Sequence, residues 1–352
     1  MKMIKVLIVE DSITAQVLLK QVLTQDPHIE VIGTAKDGMQ ALEFLRHSQP
    51  DIVTMDLHMP VMDGLEATRR IMETNPVPIV IVSGSWNSSN KADAFDFIEA
   101  GALAALEKPQ RVSSLDYDDQ CKELIQTVKL MSEIKVVKRF PAAARRHRDK
   151  HPHEEDEHPG IRLVVIGAST GGPPVLKTIL SAISKDFPVP IVIVQHIAKG
   201  FLQGLADWLD ASCDLSVKIG KNGQEVLPGH VYLAPDGYEL GVSRPRRIHL
   251  SVHKGSHFAC PSVSYLFRST AMNFGWQSVG ILLSGMGRDG ADELLLMKQK
   301  GAVTIAQDKD SCVVYGMPGA AVKLHGATHV LAPEKIAPTL ERVVSASLHR
   351  KP

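Results

Sequence analysis

Residues 162–174 run Arg-Leu-Val-Val-Ile-Gly-Ala-Ser-Thr-Gly-Gly-Pro-Pro, and their pattern decides how the larger half of the chain folds. An apolar run rich in β-branched residues predicts a strand, the Gly-Ala-Ser-Thr-Gly stretch a tight turn, and the two prolines the first turn of a helix. Ser169 stands at the apex between Gly167 and Gly171. Glycines permit so sharp a bend without a Cβ clash, so the hydroxyl can be presented to a substrate. The Gly-x-Ser-x-Gly string is weak by itself. As a phosphate cradle it lacks the Lys-Ser/Thr ending of a P-loop and the third-glycine spacing of a dinucleotide fold.

Two later stretches supply partners for the serine. A strand expected over Pro190 to Val194 ends in Gln195-His196, and one over Ser278 to Leu283 ends in Ser-Gly-Met-Gly-Arg-Asp-Gly, with Asp289 ahead of a helix starting near Ala291. All three residues fall just past the carboxyl ends of strands followed by helices, so in a parallel sheet they share one edge. Ser169 is then a nucleophile, His196 its general base and Asp289 the group that fixes the imidazole. Backbone N–H groups of the glycine-lined turns, Met286 foremost, suit an oxyanion, and Thr170 supports the turn or positions the histidine. Taken singly, His196 reads as a structural histidine and Asp289 as a helix cap; their convergence favours catalysis. His230 to Ala234, Glu239 to Val242 and Arg247 to Val252 read as short strands of an antiparallel hairpin at the sheet edge. Trp208 and Trp276 read as packing residues.

The first 130 residues alternate strand-like and helix-like segments five times, which implies a parallel sheet with helices on both faces. Its strand ends carry Glu10 and Asp11, then Asp56, then Ser83, then Lys108-Pro109. Three carboxylates at one sheet edge repel one another unless a hard cation joins them, and oxygen-only ligation suits Mg²⁺. These residues, at this joint spacing, resemble the receiver domain of two-component response regulators over residues 3–130. The resemblance implies phosphorylation of Asp56 by a histidine kinase, Mg²⁺ held by Glu10, Asp11 and Asp56, and phosphate contacts from Ser83 and Lys108. Ala105 departs from the family, which often has Tyr or Phe three residues before the lysine.

The composition fits two soluble domains. The chain has 352 residues, 44% hydrophobic, with 39 basic and 39 acidic side chains. That balance gives no electrostatic case for nucleic acid. No apolar run approaches a membrane span or a signal-peptide core, so no membrane insertion and a cytoplasmic location are expected. The cysteines at 121, 213, 260 and 312 show no metal or disulfide spacing. Between Ser132 and Gly160 periodicity stops and basic residues give way to an acidic run, which predicts a charged flexible linker over 132–160. Its histidines read as polar filler rather than a metal site.

Gly-Ala-Ser-Thr-Gly-Gly-Pro, Val-Gln-His, His-Val-Tyr-Leu-Ala-Pro, Pro-Ser-Val-Ser-Tyr-Leu-Phe and Leu-Ser-Gly-Met-Gly-Arg-Asp-Gly-Ala resemble the catalytic domain of chemotaxis response-regulator protein-glutamate methylesterases. With the receiver in front, the likeness spans nearly the whole chain apart from the linker. It implies two doubly wound parallel-sheet α/β domains, a flavodoxin-like receiver and, over 161–350, a Rossmann-like three-layer αβα methylesterase domain with a small antiparallel hairpin. The family's serine, histidine and aspartate fall on Ser169, His196 and Asp289. The implied activity is demethylation of glutamate γ-methyl esters on methyl-accepting chemoreceptors, with deamidation of receptor glutamines. The implied phosphodonor is a chemotaxis histidine kinase; a monomer is expected, with no cofactor for the hydrolase. Ser264 departs from the family's frequent Asp, which implies a changed hydrogen bond or cleft rim beside an intact triad.

Overall fold

The computed structural model describes residues 2–84, 93–109, 114–134, 136, 160–198, 200–252 and 260–348. Most of the expected linker, residue 135 and residues 137–159, lies outside them. The chain divides into two compact units, Met1–Ala143 and Ala144–Pro352.

The first unit runs β1 (Ile4–Val9), α1 (Ile13–Leu23), β2 (Ile29–Ala35), α2 (Gly38–His47), β3 (Ile52–Met55), α3 (Gly64–Thr74), β4 (Ile79–Ser83), α4 (Asp93–Ala100), β5 (Ala104–Glu107) and α5 (Ser114–Ser132). The helix starts are written locally: Ser12, Asp37 and Asp63 accept from the backbone N–H of Ala15, Gln40 and Glu66, caps worth about 1 kcal/mol each. β3 and β4 are buried along their whole length, as strands covered by helices on both faces must be. All pairings are parallel in the order β2-β1-β3-β4-β5. The order reverses direction between β1 and β3, which opens a crevice at their carboxyl ends.

The second unit runs β6 (Leu163–Ala168), α6 (Gly172–Ser181), β7 (Ile191–Gln195), α7 (Leu202–Ser212), β8 (Ser216–Ile219), β9 (His230–Leu233), β10 (Tyr238–Ser243), β11 (Arg247–Val252), α8 (Val263–Asn273), β12 (Ser278–Leu282), α9 (Ala291–Gln299), β13 (Val303–Gln307), α10 (Met317–Lys323), β14 (His329–Leu331) and α11 (Pro333–Leu348). Its seven-stranded sheet has the order β14-β13-β12-β6-β7-β9-β8. β6 lies inside it, flanked by β7 and β12 in parallel register, and every residue of β6, β7 and β12 is buried. Each buried Val or Ile there contributes about 1.5–3 kcal/mol. The chain builds outward from β6 on one side, then returns to build from β12 on the other, so the switch point falls between β6 and β12.

The hairpin is β10–β11, a separate two-stranded antiparallel sheet. The strand at His230 does not belong to it: β9 pairs in parallel with both β7 and β8. Its four short residues sit in the main sheet because β8, which the sequence pattern missed, pairs with their other side. Trp208 is buried as expected, but Trp276 is 54% exposed. The hairpin leans on α8 through the Val242 N–H to Ser269 Oγ bond at 3.1 Å. α8 in turn packs closely on β6, since a Cβ at Gly167 would meet Val263 Cγ1 at 2.2 Å.

Candidate active site and phosphoacceptor site

Ser169, His196 and Asp289 follow β6, β7 and β12 respectively, so the three gather at one edge as the spacing predicts. Ser169 and Thr170 are half-buried. The Ser169 N–H donates to Ser284 O at 3.0 Å, and the His196 N–H to Ala168 O at 2.9 Å. These two bonds tie the serine turn to the loops that carry the other residues. His196 Nε2 lies 3.0 Å from Asp289 Oδ2, with both side chains largely buried. The contact is short but off the ring N–H direction, as catalytic hydrogen bonds often are before substrate arrives.

Asp289 is held on its other side by the start of α8. Its Oδ2 accepts from the Val263 N–H at 2.7 Å, and its Oδ1 from the Ser264 N–H at 2.9 Å and the Ser262 hydroxyl at 3.1 Å. A helix N-terminus favours a negative charge there. Burial alone would raise its pKa, but His196 and Ser264 outweigh burial and hold the carboxyl well below the usual carboxylate range. Asp289 is therefore an anion at every pH where an imidazole can act as a base. The Ser264 hydroxyl accepts from the Gly290 N–H at 2.9 Å, so Ser264 pins the far side of the Asp289 loop.

Met286 is 45% exposed, and among the described residues its backbone N–H meets no acceptor. Thr170 acts through its carbonyl, which accepts from the buried Ser284 hydroxyl at 2.8 Å. The Ser284 N–H donates to Gln307 Oε1 at 2.8 Å. Ser284, Gln307 and Ser262 escaped the sequence reading because each acts on groups distant in sequence, Ser284 and Gln307 on backbone and Ser262 on the Asp289 carboxylate. Burial first, then nearby carboxylates, pushes the Cys312 and Cys260 thiols up to about 12 and about 11, which disfavours the thiolate that a cysteine nucleophile needs.

In the first unit Glu10, Asp11 and Asp56 bring one carboxylate oxygen each to within 4.8 Å of one another. Glu10 and Asp56 are buried, Asp11 exposed. Lys108 Nζ reaches Glu10 Oε2 at 2.5 Å and Asp56 Oδ2 at 2.9 Å. Burial presses the ammonium's pKa down, but the bonds to Asp56 and Glu10 more than offset this and raise it. Glu10 is pushed up by burial and then by the charge of Asp56, against the pull of Lys108. Three carboxylates thus face one lysine. This oxygen-only, undercompensated donor set fits a divalent cation. Ser83 is buried at the end of β4, and its carbonyl accepts from the Lys108 N–H at 2.9 Å. Ala105 is half-buried in β5, paired with Ile81 of β4.

Fold and sites together define a class: a doubly wound α/β unit with a receiver-type carboxylate cluster, joined in one chain to an α/β unit with a Ser-His-Asp constellation. A CheB methylesterase model matches residues 164–340, and a response regulator receiver domain model matches residues 6–117. The chain is 50% identical to a protein-glutamate methylesterase/protein-glutamine glutaminase of Nitrosospira multiformis, over 97% of this chain and 98% of that one. It is 47% identical to one from Syntrophus aciditrophicus, over 98% and 99%. The crystal structure of the Thermotoga maritima CheB methylesterase catalytic domain matches with a TM-score of 0.50 and 37% identity, covering 52% of this chain and 98% of that chain. The chain belongs to the CheB methylesterase family and carries a response-regulator receiver domain. Among the described residues no helix is long and apolar enough to cross a membrane.

Proposed function

We propose that this chain is a phosphorylation-regulated serine hydrolase of the cytoplasm that removes methyl groups from glutamate γ-methyl esters on chemoreceptors. Residues 3–130 serve as receiver, 132–160 as tether and 161–350 as hydrolase. The observation that carries the reading is the gathering of Ser169, His196 and Asp289 at one sheet edge, with His196 already 3.0 Å from an Asp289 fixed by α8.

His196 accepts the Ser169 hydroxyl proton as Oγ attacks the ester carbonyl carbon. The resulting oxyanion is stabilised by the Met286 N–H, and Asp289 stabilises the imidazolium. His196 then returns the proton to the departing methoxide, releasing methanol and leaving an acyl ester on Ser169. Water, deprotonated by His196, adds to the acyl carbon. Ser169 leaves with that proton, and a glutamate carboxylate is released. A glutamine side chain passes through the same oxyanion and loses ammonia instead, which agrees with the second activity in the relatives' names.

In the receiver, Glu10, Asp11 and Asp56 would hold Mg²⁺, which supplies charge neutralisation for phosphoryl transfer. Asp56 accepts the phosphoryl group from a chemotaxis histidine kinase, and Lys108 and Ser83 contact the added oxygens. The test is methanol release from methylated receptor membranes, with and without a small phosphodonor and Mg²⁺. Release that requires Ser169 and rises with phosphodonor, except in Asp56→Asn, is the expected result. No release from any receptor while Asp56 is still phosphorylated would overturn the esterase reading in favour of a binding role.

A further inference from the structure

β7 is aliphatic until its last residue, Gln195, which is 4% exposed. A buried primary amide is unfavourable unless its hydrogen bonds are met. Both of its N–H groups are used on the candidate site: Nε2 donates to Ser169 O at 2.9 Å and to His196 O at 2.8 Å. One side chain therefore bridges the backbones of the proposed nucleophile and the proposed base. The register agrees, since Gln195 pairs with Ala168, the residue before Ser169.

The neighbouring residues are chosen around this amide. Gly171 takes φ 77° and needs glycine for its backbone. Gly172 has no positive φ, yet a Cβ there would crowd Gln195 Oε1 and meet Ala168 Cβ at 2.8 Å, so glycine leaves room for both the glutamine and the end of β6. Gln195 Oε1 is itself buried and without a hydrogen-bond partner. It faces the start of α6, where Pro173 and Pro174 have no N–H to give. The amide's orientation thus rests on its two donor bonds alone.

We propose that Gln195 is a positioning residue of the hydrolase: its side-chain amide sets the distance between Ser169 and His196 by holding both main-chain carbonyls. The inference rests on the hydrolase reading given above. Loss of both donors lets the two loops drift, and a displacement near 1 Å costs about 10²-fold in rate. Gln195→Met keeps length and apolarity but donates nothing. Gln195→Glu keeps shape and turns acceptor oxygens toward two carbonyls, beside His196.

The experiment measures kcat and KM for methanol release from methylated receptor membranes by the full-length wild type and both variants, with thermal unfolding alongside. A parallel arm follows phosphonylation of Ser169 by a fluorophosphonate. A kcat lowered roughly 10- to 100-fold, with KM within about threefold and folding retained, is expected, together with slowed phosphonylation. A merely structural residue would lower activity only in proportion to the unfolded fraction, and that outcome in both variants overturns the proposal. So does a kcat within about twofold of wild type in either folded variant. Gly172→Ala, which displaces the amide by crowding Oε1, should reproduce the kcat loss. If wild type releases no methanol, the hydrolase reading fails separately, and equal phosphonylation rates in wild type and variants then overturn the role of Gln195.

Discussion

Both units set acidic side chains just beyond the carboxyl ends of parallel strands, yet Glu10 and Asp289 meet opposite surroundings. Glu10 is buried among carboxylates with Lys108 as the nearby cation, and its pKa is raised by burial and by Asp56. Asp289 also suffers burial, but His196 and the first residues of α8 hold it well below the ordinary range. The first arrangement stores unmet negative charge, so the arrival of a cation or the conversion of Asp56 to a phosphate changes its balance. The second leaves nothing to adjust, which suits a group that must keep an imidazole in one orientation through a catalytic cycle. A switch and a catalyst are thus built at the same place in the same kind of sheet, differing in how completely the carboxylate's lone pairs are satisfied.

The contrast can be broken most directly at the serine. Ser169→Ala should lower methanol release by about 10⁴-fold or more while phosphodonor still labels Asp56, read as label retained in the intact protein. Asp289→Asn should cost roughly 10³-fold in kcat, because an amide no longer selects the correct imidazole tautomer or stabilises its cation; a loss under tenfold would mean that Asp289 does not orient His196. In the receiver, Lys108→Met strips the buried carboxylates of their lysine and should destabilise that unit by about 3 kcal/mol without metal. Added Mg²⁺ should stabilise this variant more than wild type, as measured by calorimetry.

The pH dependence sharpens the comparison, because the two carboxylates must show opposite signs. A depressed folded-state pKa gives Asp289 a stabilising contribution that is present above the unfolded value of about 4 and lost as pH falls through the lower folded value. The melting-temperature gap between wild type and Asp289→Asn should therefore stay level from about pH 8 to 5 and close only below about 4. Glu10 has a raised folded-state pKa, so its contribution is present below about 4.3 and lost as pH rises through the folded value. Metal-free Glu10→Gln should gain on wild type across that rise, by roughly 3 °C. Gaps of the same sign at both residues would remove the distinction.

Much of this was legible because local chemistry announces itself. The Gly-x-Ser-x-Gly turn, the strand-end positions of His196 and Asp289 and the spacing of Glu10, Asp56 and Lys108 each follow from alternation of strand and helix, and parallel topology then forces them to one edge. The hairpin was legible at Glu239 to Val242 and Arg247 to Val252, within the observed β10 and β11. The place of β9 was not, since a four-residue apolar strand carries no sign of which neighbour it pairs with. The exposure of Trp276 was equally hidden, because composition does not say which face of an element meets solvent.

By itself the sequence determined the two α/β units, the edge residues and the chemistry open to them, since these depend on short-range patterns and on a handedness rule common to all such sheets. Tertiary structure alone decided what surrounds each group: that α8 starts on Asp289, that Lys108 spans Glu10 and Asp56, and that Gln195 bridges Ser169 and His196. Those contacts join residues up to about a hundred positions apart, and their energies depend on burial and direction within an ångström, which no local pattern encodes.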